Sequence, residues 1–160
     1  MKRIVRYMTI RHHNPRGMGS SRQNAVMARL CDVVVDCERP ASLARFWAAT
    51  LDGYEVVAYD EDEVVRLRSI GVEDTEDDPS VLVESPESRV RFWFQRVPER
   101  KVVKNRVHLD LTSVDADGEA TRLVALGARV HDDQPNEGLL VLSDPEGNEF
   151  CLLRSSPRSP

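Results

Sequence analysis

Residues 106–112, RVHLDLT, alternate apolar and polar side chains, and this period of two predicts a β-strand with one face in the core. Asp115 then stands where it caps a helix that carries Leu123 and Leu126 on one face and ends at Gly127. Three shorter strands are predicted after the helix, at 129–131, 139–142 and 149–153. The C-terminal part of the chain therefore predicts a β-α-β-β-β unit.

The first half of the chain predicts the same order of elements. Residues 30–37, LCDVVVDC, are rich in β-branched side chains and predict a strand, and Pro40 suits the first turn of a helix that Gly53 ends. Later strands are predicted at 54–59, 64–69 and 89–97, with a short candidate at 81–83 and a solvated acidic loop at 73–79. Setting Asp32 against His108 aligns the two halves element by element. One unit is too small to bury its sheet, so we expect two to pack together.

The composition limits the classes of protein to which this chain can belong. Its 160 residues, 41% of them hydrophobic, suit one domain or two small half-domains that share a core. No apolar run approaches the ~18 residues of a membrane span, and a net charge of −5 argues against a nucleic-acid partner. The three cysteines, Cys31, Cys37 and Cys151, form no CxxC pair, which indicates a reducing cytoplasm rather than a disulfide framework.

The N-terminal segment, residues 1–29, is expected to be a disordered leader outside the fold. It carries seven basic residues and no acidic one, which leaves 15 basic and 27 acidic residues and a net charge of −12 in the rest of the chain. Its function stays open between a targeting peptide, a basic arm for an anionic partner and an upstream extension of the reading frame. The domain itself is predicted at 30–154, with modules at about 30–97 and 104–154 and a tail at 155–160.

Period-two alternation also predicts which side chains share a cavity. In the central strands the apolar side chains lie on one face and the polar side chains on the other. If the apolar faces pack on the helices, the polar faces look into a common hollow. The side chains that alternation gathers there are Asp32, Asp36, His108, Asp110, Glu149 and Cys151.

These segments resemble the glyoxalase-like branch of the vicinal oxygen chelate superfamily, which includes glyoxalases, bleomycin resistance proteins and extradiol dioxygenases. The resemblance is carried by RVHLDLT at 106–112, the helix end at 126–128 and SDPEGNEFCLL at 143–153. Residues 34–40 and 43–47 are similar to the opening of the family's first module, and 94–99 and 104–110 are similar to its middle. The resemblance covers about 30–154 and implies an α+β fold in which two βαβββ modules form a cupped mixed β-sheet with helices on the outer face.

The resemblance also implies a functional site. Enzymes of the superfamily hold a divalent metal in the cup, where it chelates neighbouring oxygens of a substrate while a carboxylate moves a proton. Their ligand positions fall on Asp32, His108 and Cys151, the last replacing a glutamate, and a fourth falls near Trp93, which has no lone pair to offer. We expect catalytic roles for His108 and Glu149, and the residues expected to bind substrate are Asp36, Trp93, Gln95 and Asp110.

Two alternatives remain open at the level of sequence. The cofactor is either a divalent metal (zinc, manganese, iron or nickel) or none, with His108 then a cavity histidine hydrogen-bonded to Asp110 or Asp32. The function is either that of a lyase, isomerase or dioxygenase-type enzyme acting on a carbonyl or aromatic metabolite, or that of a non-catalytic, metal-independent drug-binding protein of bleomycin-resistance type. A scaffold recruited through the leader is a third possibility. The resemblance implies a homodimer in each of the first two cases.

Overall fold

The computed structural model describes residues 28–154, and the predictions for 1–27 and 155–160 lie outside the described residues. The first half contains β1 (Asp32–Cys37), α1 (Pro40–Thr50), β2 (Glu55–Val56), α2 (Glu61–Ser69), a 3-10 turn (Thr75–Asp77), β3 (Ser80–Glu84) and β4 (Arg91–Arg96). The second half contains β5 (Asp110–Ser113), α3 (Ala116–Ala125), β6 (Arg129–Val130), β7 (Leu139–Ser143) and β8 (Glu149–Arg154).

Both halves have the same sheet topology. The strands form two four-stranded sheets in the orders β1-β4-β3-β2 and β5-β8-β7-β6. In each sheet the first strand pairs in parallel with the last, and the other pairs are antiparallel. The predicted α+β fold of two repeated modules is therefore confirmed. Within residues 28–154 the strands make two hydrogen-bonded sheets rather than a continuous one.

Several predicted strand limits differ from the structure. Residues 64–69 belong to helix α2, so the strand prediction there was wrong. The strand predicted at 54–59 shortens to β2, whereas the short candidate at 81–83 is confirmed within β3. Regular pairing in the strand predicted at 106–112 begins only at Asp110, so His108 precedes β5.

A single core joins the two modules. Val33 and Val35 of β1 and Leu109 and Leu111 around β5 turn toward this core, as the alternation predicted. The aromatic ring of Trp47 in α1 lies 5.3 Å from that of Phe150 in β8, so the helix of the first module packs against the sheet of the second. Such edge-on ring pairs add about 0.5–1.5 kcal/mol beyond the area they bury.

Polar contacts reinforce the contact between the modules. The buried carboxylate of Asp144, in the turn between β7 and β8, accepts a hydrogen bond of 3.2 Å from the indole N–H of Trp47. In the same turn, the carboxylate of Glu146 accepts the backbone N–H groups of Glu38 and Arg39 at 2.7 and 2.8 Å. Arg39, at the start of α1, provides no side-chain cap of its own. A side chain of the second module therefore fixes the backbone that leads into the helix of the first.

Candidate functional site

The sheet of the first half, β1-β4-β3-β2, is called the first sheet, and the sheet of the second half, β5-β8-β7-β6, the second sheet. The polar face of the second sheet brings three potential ligand atoms together. Asp110 on β5 lies directly opposite Cys151 on β8, and His108 lies two residues before Asp110 on the same face. The distance from His108 Nδ1 to Asp110 Oδ1 is 2.9 Å, and that from Cys151 Sγ to His108 Nδ1 is 3.8 Å. All three donor atoms lie within 4.8 Å of one another, and no other such group of three occurs in residues 28–154.

This cluster is open to solvent and its thiol is protonated near neutral pH. The side chains of His108 and Asp110 are 45% and 50% exposed. Burial, a hydrogen bond to Asp110 and the charge of that carboxylate raise the pKa of the Cys151 thiol above its ordinary value. Cys151 is therefore a poor nucleophile on its own, because the thiolate is the reactive form. When Nδ1 of His108 carries the proton, it donates a hydrogen bond to Asp110 Oδ1.

Glu149 lies on the same face but is tied to the linker between the modules. Its carboxylate contacts Lys101 Nζ at 3.1 Å and accepts the backbone N–H of Asn105 at 3.1 Å. Burial opposes the charge, but hydrogen bonds from Asn105, its own backbone and Lys101 outweigh burial and lower its pKa to about 2. A carboxylate with this pKa takes up no proton near neutral pH. The geometry fits an anchor for the linker better than the expected proton acceptor.

Asp32 lies on the first sheet and does not belong to the cluster of His108. Arg91 lies directly opposite Asp32 on β4 and donates two hydrogen bonds to its carboxylate, from Nε at 2.8 Å and from Nη2 at 3.1 Å. The side chains of Asp32 and Arg91 are only 9% and 18% exposed, respectively. The carboxylate that the resemblance identifies as a metal ligand is therefore engaged by a guanidinium, whose charge takes the place of a bound cation.

The other predicted binding residues form two rows across the first sheet. Asp36 lies opposite Gln95, and the indole of Trp93 lies in the neighbouring row. Gln95 is 8% exposed and its side chain makes no hydrogen bond within residues 28–154. The indole N–H of Trp93 and the hydroxyl of Ser80 are also buried without a hydrogen-bond partner in the described chain. The groups of Trp93 and Ser80 are exceptions to the usual rule that buried donors and acceptors are paired.

An apolar row runs beside these polar groups. Trp93 lies opposite Val34 on one side and Leu82 on the other, and all three point away from the core. Val34 is 47% exposed, so this part of the sheet is not covered. The first sheet thus offers a flat apolar surface flanked by an amide and a carboxylate, which suits a planar ligand with polar substituents.

The residues that alternation gathered are divided between two open faces. His108, Asp110 and Cys151 come together on the second sheet, while Asp32 and Asp36 lie on the first. Two cavities of about 440 and 420 Å³ are found elsewhere, beside β2 and at the start of α1. Neither cavity is lined by a predicted site residue.

Sequence reasoning missed Arg91, Lys101 and Asn105, which engage two of the predicted carboxylates. Arg91 was detectable in principle, because it occupies the polar face of the strand predicted at 89–97. Its pairing with Asp32 requires the register between β1 and β4, which the sequence alone does not supply. Lys101 and Asn105 lie in an irregular linker, and no periodicity reports where such a segment runs.

The ligand atoms of the cluster on the second sheet suit some divalent metals better than others. His108, Asp110 and Cys151 offer nitrogen, oxygen and sulfur, a mixture that zinc accepts and that manganese or magnesium does not favour. The first sheet fits a metal poorly, since Asp32 is ion-paired and Trp93 has no lone pair. The residues present therefore fit a metal at the second sheet and not across both sheets.

Two modules of this topology, each with a polar open face, define a protein of the paired βαβββ class. A family model described as a glyoxalase-like domain matches residues 32–153, and the chain belongs to this family. The segments that carried the resemblance all fall within or overlap the matched region. No curated protein matches the chain.

Solved structures support the fold at low sequence identity. The fosfomycin resistance protein FosX from Listeria monocytogenes is 11% identical with a TM-score of 0.56, over 81% of this chain and 95% of that one. The antibiotic-binding protein TnmS3 from Streptomyces sp. CB03234 is 16% identical with a TM-score of 0.52, over 83% and 100%. Oxidase ChaP-H2 is 19% identical with a TM-score of 0.52, over 82% and 97%. At these identities the likeness concerns the fold alone.

Within residues 28–154, no helix is both long and apolar enough to cross a membrane.

Proposed function

We propose that the protein binds a small molecule in a cup formed between two copies of the chain, with the first sheet of one copy facing the second sheet of the other. The observation that carries this proposal is that each polar face is an open half-site. The first sheet has an apolar row that includes Trp93, whose buried indole N–H has no partner within residues 28–154, and the second has an exposed histidine and carboxylate beside a half-buried thiol. A homodimer would pair these complementary halves twice.

Binding without catalysis fits the carboxylates better than proton transfer by a glutamate does. The pKa of Glu149 is about 2, and the carboxylate of Asp32 is held by Arg91. Neither is available to move a proton near neutral pH. TnmS3, which shares the fold, is an antibiotic-binding protein. The net charge of −12 outside the leader favours a cationic ligand.

The setting proposed for this activity is the cytoplasm. All three cysteines are free thiols, and a reducing compartment keeps them so. Exposed Cys31 is the thiol that an oxidising compartment would modify first.

A second candidate function is proton transfer by His108. Its Nδ1 lies 2.9 Å from Asp110 Oδ1, and a hydrogen bond donated from Nδ1 would hold the imidazole in the tautomer in which Nε2 is the basic nitrogen. Such a pair is suited to removing a proton from a carbon beside a carbonyl group. This activity would need His108 and Asp110 but would not need Glu149.

The test of binding uses the full chain and two probes, bleomycin as a cationic drug and fosfomycin as an anionic one. We expect saturable heat in calorimetry with bleomycin and a change in Trp93 fluorescence that disappears in Trp93→Phe. Trp47 is buried in the core, so it serves as the internal reference. Absence of saturable binding by either probe to the dimer would contradict the proposal as stated.

The test of proton transfer follows deuterium exchange into dihydroxyacetone in heavy water by NMR. Binding without catalysis predicts the same exchange rate for wild type, His108→Gln and the control His131→Gln. His131 is an exposed histidine outside the cluster. A rate that falls only in His108→Gln would replace the first function with the second.

A further inference from the structure

We propose that Glu149 is a positioning residue, which sets the place of His108 by holding the linker that leads to it. The linker runs from residue 97 to residue 109, between β4 and β5, and contains no helix or strand. Its contact with Glu149 lies within a single chain and is independent of any ligand. The consequence of this contact for ligand chemistry rests on the proposed function.

The backbone ladder of the second sheet stops short of His108. Asp110 is the first residue of β5 and lies opposite Cys151 of β8, whose N–H donates to the carbonyl of Leu109 at 2.9 Å. Continuing this parallel register by two residues would set His108 opposite Glu149, on the same face of the sheet. Regular pairing does not extend that far. Sheet hydrogen bonds therefore fix Asp110 but do not fix His108.

The side chain of Glu149 holds the chain where the ladder has ended. Glu149 is the first residue of β8, and its backbone is set in the sheet by pairing with Ser143. Its carboxylate accepts the backbone N–H of Asn105 at 3.1 Å, three residues before His108, and contacts Lys101 Nζ at 3.1 Å. Both contacts involve a charged acceptor, which makes them stronger than neutral hydrogen bonds. A side chain of β8 thus ties the linker to the sheet.

Other contacts of the linker are weaker. The side chains of Val102, Val103 and Val107 are exposed, so apolar packing does not fix this segment. Arg100 forms an ion pair with Glu38 at 3.2 Å, but both side chains are largely open to solvent. Such exposed pairs contribute about 0–1 kcal/mol. Of these contacts, those of Glu149 are the most shielded and the nearest to His108.

The hydrogen bond between His108 and Asp110 depends on where the linker lies. His108 Nδ1 is 2.9 Å from Asp110 Oδ1, and because a carboxylate only accepts, this bond requires the proton on Nδ1. A displacement of the linker by about 1 Å would take the two atoms beyond hydrogen-bond range. The second candidate function needs no proton from Glu149, but it needs the imidazole held in this place. Glu149 therefore acts through the linker and not as an acid or a base.

The experiment records the imidazole nitrogens of the full chain by ¹⁵N NMR. The spectrum is taken at about pH 8.5, where an ordinary imidazole, with a pKa of about 6.5, is neutral. A nitrogen that carries a proton and one that does not resonate far apart, so the spectrum reports the tautomer. His12 and His13 are replaced by glutamine in every sample. The spectrum of His108→Gln then identifies the signals of His108, and those of His131 serve as the reference.

We expect His108 to carry its proton on Nδ1 in the wild type and to lose this signature in Glu149→Ala, which shows a mixture of both tautomers. Glu149→Gln keeps an oxygen that can accept the N–H of Asn105, so it should retain the signature although its charge is gone. Lys101→Met should retain it as well, because the contact with Asn105 stays. Glu73→Ala is the matched control, since it removes an exposed carboxylate away from the linker. It should leave the signature unchanged.

A wild type without the Nδ1 proton, or a folded Glu149→Ala that retains it, would overturn the proposal. Loss of the signature in Glu149→Gln or Lys101→Met, to the same extent as in Glu149→Ala, would also overturn it, since the ion pair would then position the imidazole.

Circular dichroism shows whether each variant is folded. If Glu149→Ala is not, Asn105→Pro removes the donor N–H while Glu149 stays in place, and it should lose the signature in the same way. Retention of the signature in a folded Asn105→Pro overturns the proposal. No ligand is needed for these measurements, so their outcome is distinguishable from a failure to bind drugs, to transfer protons or to dimerise.

Discussion

At the scale of the residue, the carboxylate of Glu149 makes a prediction about pH. Its pKa is about 2 in the folded chain and near 4.5 when unfolded, so the charged form stabilises the fold. This stability is fully present above about pH 4.5 and is lost as the pH falls toward 2. Glu149→Gln should cost about 1.5–3 kcal/mol at pH 7, the range for hydrogen bonds to a charged group. The cost should shrink as the pH falls below about 4.5 and disappear only near pH 2.

The measurement is urea unfolding of wild type and variant between pH 7 and pH 2. Glu73→Gln is the control, because Glu73 is exposed and its side chain makes no hydrogen bond within the described chain. The free energy of unfolding of Glu73→Gln should equal that of wild type at every pH. A constant difference between Glu149→Gln and wild type across this range would mean that packing, rather than charge, is responsible.

The sequence predicted toward which face a side chain points, but it did not predict which group that side chain contacts. Alternation placed Val33 and Val35 toward the core, and it placed His108, Asp110 and Cys151 on one face. Direction follows from the geometry of an extended chain, which is local. Partners depend on register and on the path of loops, so the engagement of Asp32 by Arg91 and of Glu149 by Lys101 was not predictable.

At the scale of the element, helix α2 shows how a local pattern was misread. Its sequence has adjacent valines, Val64 and Val65, which favoured a strand. The end signals were nevertheless present in the sequence. Asp60 accepts the N–H of Glu63 at 2.8 Å at the start, and Gly71, with φ of +81°, closes the C-terminal end. Both signals are those of a helix, and they outweigh the β-propensity of two side chains.

Helix α2 makes one prediction about packing. Leu67 is its only buried residue and is 2% exposed, whereas Val65 is 64% exposed. Leu67→Ala should lower the free energy of unfolding by about 2–3 kcal/mol, because it leaves a cavity. Val65→Ala should change it by less than about 0.5 kcal/mol. Chemical denaturation measures both, and equal effects would show that α2 does not pack through Leu67.

At the scale of the whole molecule, the sequence predicted the repeat but not the relation between the repeats. The order of the elements and the segments that resemble glyoxalase-like proteins were enough to predict two βαβββ modules. How the modules meet is decided by single contacts, such as Trp47 with Phe150 and Asp144. Those contacts join residues about a hundred positions apart, and nothing in the local pattern reports them. The prediction of one common hollow relied on that missing information.

The composite cup makes the last prediction, which concerns two chains. Within residues 28–154 each polar face is open, so the full-length protein should sediment as a dimer at micromolar concentration. Fluorescent labels on Asp36→Cys and Thr112→Cys report the two faces, with Cys31 and Cys151 replaced by serine. Cys37 needs no replacement, because burial raises the pKa of its thiol to about 12. Chains carrying a donor at 36 and chains carrying an acceptor at 112 should show stronger energy transfer when mixed than two populations labelled at 36. A monomer, or stronger transfer between the two first sheets, would rule out this pairing.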